Sequence, residues 1–231
     1  MIPDFPVYLF DVDGTLLDSA EDICGAVQHV LVSTGSPPVS FDYLKSFIGL
    51  HLQACFGELL PHYSAEQIDS LIDHYRTTYW AREHQCTRPF PGVEEALRRL
   101  GGRKSTATTK GTPTTHRVLE KFGLIQYFDH VQGTDGIPCK PEPDVILAAM
   151  SALGVESSGC LMVGDSPADM EAGRRAGVKI CAVNYGYGKA EDLAGWKPDY
   201  WISDLRELCP SEFAVNKGVV NKDGIRAQLP L

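Results

Sequence analysis

Three things are scarce in this chain of 231 residues. No two of its seven cysteines stand in CxxC spacing, and the number is odd, so neither a disulfide framework nor a paired-cysteine metal site is expected. Cys160 and Cys181 sit inside apolar runs and read as core filling. Lysine and arginine form no run, and the net charge is -9, which argues against nucleic acid as a partner. No apolar stretch approaches the roughly 18 residues that would cross a bilayer. The first residues lack a basic region followed by an apolar one, so no export signal is expected. These absences suggest a reducing, cytoplasmic setting without membrane or nucleic-acid partners. An anionic substrate would be repelled by the overall charge and would need a local field to draw it in.

What is present is a rhythm. An apolar strand, "VYLF" at 7–10, leads into Asp11 and Asp13, then at once into Gly14 and Thr15. From about 88 onward, short strands near 104–108, 130–132, 160–165 and 179–183 alternate with helices near 93–100, 113–122, 142–153 and 168–176. That alternation implies βαβ units and a mostly parallel, doubly wound, Rossmann-like sheet. Between 18 and 87 only helical patterns stand out, among them 20–34 and a helix opened by the capping box Ser64-x-x-Gln67. The expected fold is therefore α/β, with a core from 1–17 and 88–231 and an inserted all-helical cap at 18–87. The tail at 216–231 matches no element.

In an open parallel sheet, ligands bind beyond the carboxyl ends of the strands. Asp11, Thr108 and Asp165 each end an expected strand. Alone, Asp11-x-Asp13 reads equally well as a capping turn, and Asp169 in "GDSPAD" reads as an acidic residue favouring a helix N-terminus. Taken together the two clusters say more. Two unit charges 4 Å apart repel by about 4 kcal/mol at an effective dielectric of 20. Carboxylates gathered at one sheet edge therefore call for a cation, and hard oxygen donors suit Mg²⁺ beside a phosphate. Thr108 is a candidate phosphate-oxygen donor. Lys140, in "CKPEP", is a candidate to balance phosphoryl charge, with Lys110 as the second choice.

Four segments in this order, "DVDGT" (11–15), "TTK" (108–110), "KPEP" (140–143) and "GDSPAD" (164–169), resemble the haloacid dehalogenase-like hydrolase superfamily. Within it the chain is similar to the phosphoglycolate phosphatase branch, over roughly residues 5 to 208. The resemblance implies Asp11 as nucleophile, forming an aspartyl phosphate, and Asp13 as general acid and base. It implies a Mg²⁺ site from the Asp11 carboxylate, the Asp13 backbone carbonyl, Asp165 and Asp169. Thr108, Thr109 and Lys140 would bind the phosphoryl group of a small phosphorylated metabolite such as 2-phosphoglycolate. Position 109 is often Asn in that branch and is Thr here.

The cap would close over the site, and Lys45, Arg76, Arg82 and Arg88 are candidates to meet a substrate carboxylate. Five of the seven histidines fall in 18–87, none in HxxxH spacing, so no zinc site is expected. Two alternatives stay open: a sugar-phosphate mutase of the same fold, and a phosphoacceptor signalling domain. A dehalogenase fits less well because Asp13 is present, and a silent binding module less well because every chemical group is in place. The oligomeric state is not legible in the residues.

Overall fold

The computed structural model describes residues 2–210. The unassigned tail at 216–231 lies outside them. Five parallel strands form one sheet: β1 (Val7–Phe10), β4 (Arg103–Thr106), β5 (Cys160–Gly164), β6 (Lys179–Val183) and β7 (Tyr200–Ile202), in the order β4-β1-β5-β6-β7. Every residue of β1 and β5 is buried. Alternation splits their side chains between two packed faces. Tyr8, Phe10, Leu161 and Val163 join one apolar cluster with helix α5 (Val93–Arg99) and helix α6 (Thr112–Lys121). Val7, Leu9, Cys160 and Met162 join the other, with α7 (Asp144–Leu153) and α8 (Pro167–Ala176).

The chain leaves β1 toward β4 on one side and later returns to β5 on the other. The order of the strands therefore reverses at β1, and the crevice for a ligand opens at its carboxyl end.

Between β1 and α5 the chain builds helices α1 (Ala20–Ser33), α2 (Phe41–Lys45), α3 (Leu52–Leu59) and α4 (Ala65–Ala81). They pack around their own apolar cluster, which includes Val27, Val30, Leu44, Phe56, Ile72 and Tyr75. The expected capping box opens α4: Ser64 accepts from the Gln67 amide and Gln67 accepts from the Ser64 amide. The short helix α9 (Ala190–Ala194) follows β6.

One local expectation needs correction. The strand expected at 130–132 is a single bridge between Ser105 and His130, because the polar Gln132 amide turns to the Thr106 hydroxyl instead of extending a ladder. A two-residue antiparallel pair not foreseen in the sequence, β2 (Leu17–Asp18) with β3 (Arg88–Pro89), brackets the 18–87 segment and overlaps it only at Asp18. This pair ties together the two crossings into and out of the helices.

Candidate active site

β1 runs straight into the site because Phe10 is the last residue hydrogen-bonded in register, and the Asp11 amide still donates to the Val163 carbonyl at 3.0 Å. The chain must then turn. Gly14 adopts φ +90, and a Cβ there would stand 2.3 Å from Asp165 Oδ2. Only glycine both takes that conformation freely and lets the turn close onto Asp165. β5 delivers Asp165 from the neighbouring strand, and α8 delivers Asp169 from its first turn. Ser166 caps α8, its hydroxyl donating to Asp169 Oδ2 at 2.7 Å and its amide at 2.9 Å.

The result is a buried group of three carboxylates, Asp11, Asp165 and Asp169, each offering an oxygen within 4.8 Å of the others. Lys140 reaches between two of them, with Nζ 3.0 Å from Asp11 Oδ1 and 2.5 Å from Asp169 Oδ1. Burial disfavours its ammonium, but the Asp11 and Asp169 carboxylates outweigh that and hold its pKa well above the usual lysine value. Asp165 accepts from the Thr15 hydroxyl at 2.9 Å and from the Tyr187 amide at 2.8 Å. These two bonds do not compensate its burial. Loss of solvent, with Asp169 and Asp11 nearby, pushes its carboxyl up to about 8. Burial likewise pushes Asp11 up to about 6, against the pull of Lys140.

Three carboxylates thus face one ammonium, and the donor set is entirely oxygen. That excess of buried negative charge fits a hard divalent cation. Asp11, Asp165 and Asp169 would hold it.

The Asp13 side chain stands apart from this group. Its Oδ1 accepts from the Ser19 hydroxyl at 2.6 Å, and its Oδ2 lies 3.1 Å from Lys110 Nζ. Thr108, buried two residues past the end of β4, lines the same cavity. Thr109 lines the cavity as well, and its hydroxyl donates to the Gly49 carbonyl at 2.9 Å, which ties the β4 loop to the α2–α3 connection.

A model of the family described as haloacid dehalogenase-like hydrolase matches residues 8–183. The chain belongs to that family. It is 30% identical over 212 residues to the phosphoglycolate phosphatase of Pseudomonas fluorescens, an alignment covering 87% of this chain and 78% of that one. It is 34% identical over 186 residues to the phosphoglycolate phosphatase of Caulobacter vibrioides, covering 77% and 78%. Among solved structures it is similar to a "predicted phosphatase from Clostridium acetobutylicum", with a TM-score of 0.82, 31% identity, and 89% and 97% of the two chains covered.

Two residues of this haloacid dehalogenase-like hydrolase carry weight that the sequence reading missed. Tyr187 follows β6 and places its amide on Asp165. Its hydroxyl accepts from the Ser19 and Ala20 amides at 2.6 and 3.0 Å and donates to Asp18 at 2.9 Å, so it also fixes the start of α1. An aromatic flanked by glycines just past a parallel strand, "YGYG" at 185–188, is the signal that could have found it. Asp22 is the second. It is buried in the first turn of α1 and accepts from the Cys86 amide, the Thr87 amide and the Thr87 hydroxyl at 3.0, 2.8 and 2.7 Å. It therefore joins the outgoing and returning chains of the helical segment.

Proposed function

We propose that the protein is a Mg²⁺-dependent phosphomonoester hydrolase that acts on small organic phosphates through an aspartyl phosphate. One observation carries this reading: Asp11, at the switch point of the sheet, shares a buried carboxylate group with Asp165 and Asp169 while Lys140 stands 3.0 Å away. Asp11 is positioned as the nucleophile. One of its oxygens attacks phosphorus, and the bond from phosphorus to the ester oxygen breaks. Asp13 gives its proton to the departing alkoxide. In the second half, Asp13 takes a proton from water as that water attacks phosphorus, releasing inorganic phosphate and restoring the Asp11 carboxylate.

Lys140 offsets charge between Asp11 and the incoming phosphoryl oxygens, and Thr108 offers a hydroxyl to them. Thr109 contributes only its backbone there, since its hydroxyl is bound to Gly49. Asp11, Asp165, Asp169 and the Asp13 carbonyl would hold Mg²⁺, which would supply the positive charge that lets an anionic ester approach a carboxylate.

Among the described residues, 2–17 and 88–210 would form the core and 18–87 the cap. The cap excludes water during the reaction. Seven free cysteines, four of them buried, agree with a reducing cytoplasm. The relatives named phosphoglycolate phosphatase make 2-phosphoglycolate the reference substrate.

The test is phosphate release from p-nitrophenyl phosphate and 2-phosphoglycolate, with Mg²⁺ and after chelation. Catalytic turnover that needs the metal and vanishes in Asp11→Asn supports the reading. A stable stoichiometric phosphoprotein would point to a phosphoacceptor domain. Transfer to a second hydroxyl of the substrate without net phosphate release would point to a mutase.

A further inference from the structure

The cavity above Asp11 encloses about 400 Å³. Its floor holds Asp11, Asp13 and Thr108, and most of its remaining wall is apolar. Phe47, Ile48 and Leu50 come from the α2–α3 connection, Leu52 from the start of α3, Val27 from α1 and Trp80 from α4. Leu50 is 43% exposed, an apolar side chain at the open edge of the cavity.

The cations that a small carboxylate would need are each engaged with another group. Lys45 Nζ lies 4.7 Å over the Tyr187 ring. Arg82 pairs with Asp22 at 3.4 Å, and Arg88 donates to the Thr87 carbonyl at 2.5 Å. Arg76 lines the cavity but is 63% exposed and pairs with Asp73 at 2.9 Å. Lys110 is held by Asp13 and the Tyr79 hydroxyl.

The volume points the same way. Cavities of about 300–1,000 Å³ enclose drug-sized ligands, whereas a two-carbon acid would leave much of this one to water. Water at ~30 Å³ per molecule would then lie against the apolar side chains of the α2–α3 side, although His51, Gln53, Thr114, Thr134 and Asp135 also reach the lining. An apolar leaving group would displace that water, and an aromatic ring would meet Phe47 and Trp80 by ring contacts.

We propose that the preferred substrate is a phosphomonoester of an aryl-bearing alcohol, with Leu50 and Trp80 as specificity-determining residues. This rests on the phosphomonoesterase reading above and adds the class of alcohol that leaves.

The experiment compares kcat/KM for 2-phenylethyl phosphate, ethyl phosphate and 2-phosphoglycolate in Mg²⁺. The first two alcohols have similar acidity, so a difference between them reports binding of the ring and not ease of departure. The expected result is at least tenfold higher kcat/KM for 2-phenylethyl phosphate than for either other ester. Leu50→Asp, at an exposed position that tolerates charge, should reduce that preference several-fold while the melting curve stays unchanged.

Preference for 2-phosphoglycolate, or equal kcat/KM for all three, overturns the inference and leaves the hydrolase reading standing. Absence of phosphate release from every ester overturns the hydrolase reading. Calorimetry with phosphonates then decides the inference on its own. Tighter binding of 3-phenylpropylphosphonate than of phosphonoacetate supports an apolar chamber, and equal or weaker binding overturns it.

Discussion

Lys110 Nζ lies 3.1 Å from Asp13 Oδ2, so the second lysine of the site pairs with Asp13, the proposed acid, while Lys140 pairs with Asp11, the proposed nucleophile. It is also 3.2 Å from the Tyr79 hydroxyl and 4.7 Å from that ring's centre, which links Asp13 to helix α4 of the cap. Burial works against the Lys110 ammonium, and Asp13 more than offsets it, holding the pKa above the usual value. A cap that seats Tyr79 therefore also seats Lys110 and, through it, Asp13.

This predicts a selective loss in Lys110→Met. General acid assistance contributes about 10²–10⁴-fold to a reaction with a poor leaving group. Misplacing Asp13 should cost about ten- to a hundredfold in kcat for an alkyl phosphate. p-Nitrophenol departs with little help, so p-nitrophenyl phosphate should lose less in the first chemical step. Single-turnover kinetics on the two esters checks this, and equal losses would remove Lys110 from any role through Asp13.

Lys140 should behave differently. Its side chain is 1% exposed and serves two carboxylates at once. Removing one member of a buried ion pair typically costs about 3–5 kcal/mol, because the remaining charges lose their partner. Lys140→Met should therefore lower both stability and turnover. Lys140→Arg should not restore activity, since a planar guanidinium does not replace a compact ammonium in a closed site. Denaturant melts with phosphate-release assays separate the two effects, and a stable, active Lys140→Met would contradict both.

The carboxylate group also sets a pH signature. Burial, with Asp169 and Asp11 nearby, pushes the Asp165 carboxyl up to about 8, against 3.8 for an ordinary Asp. Asp11 titrates at about 6. Both are raised, so the folded chain holds protons that the unfolded chain releases between about pH 4 and 8. Stability in chelator should thus fall as pH rises through that window. Asp199 and Asp204 are held below the usual carboxylate range and act in the opposite sense, but only at more acid pH. Metal binding needs ionised carboxylates. The rise in Tm on adding Mg²⁺ should accordingly grow from pH 5 to pH 8. Scanning calorimetry with and without EDTA measures it, and a Mg²⁺ effect that shrinks with rising pH would contradict the assignment of these three aspartates.

β1 and β5 were legible because each is a short apolar run followed by an aspartate at the ligand edge, whereas β4, Arg-Lys-Ser-Thr, was legible only from its place in the alternation of strands and helices. Asp11, Asp165 and Thr108 follow from that pattern and from the parallel topology it implies. Lys140 and Asp169 were legible only as members of ordered motifs, since a lone lysine or a first-turn aspartate has ordinary structural uses. Side-chain direction was not legible. Thr109 faces Gly49, Lys110 faces Asp13, and Lys45 lies on Tyr187, because contacts between segments far apart in sequence decide each orientation. The two-residue pair of Leu17–Asp18 with Arg88–Pro89 is too short to leave any periodicity.

Asp22 offers a test of how the cap is held. Its Oδ2 accepts three hydrogen bonds from Cys86 and Thr87, where the chain returns to the sheet. Asp22→Ala would strand two backbone amides and a hydroxyl, at a cost of about 2–4 kcal/mol. Asp22→Asn keeps one acceptor oxygen and should cost less. None of these atoms touches Asp11, Asp165 or Asp169, so the loss should fall on cap placement. KM should rise more than kcat falls, and the Mg²⁺ concentration giving half-maximal activity should stay constant. A double-mutant cycle with Thr87→Val should show coupling of about 0.5–3 kcal/mol. Additive losses would mean that the joint between the two crossings is held by the β2–β3 pair alone.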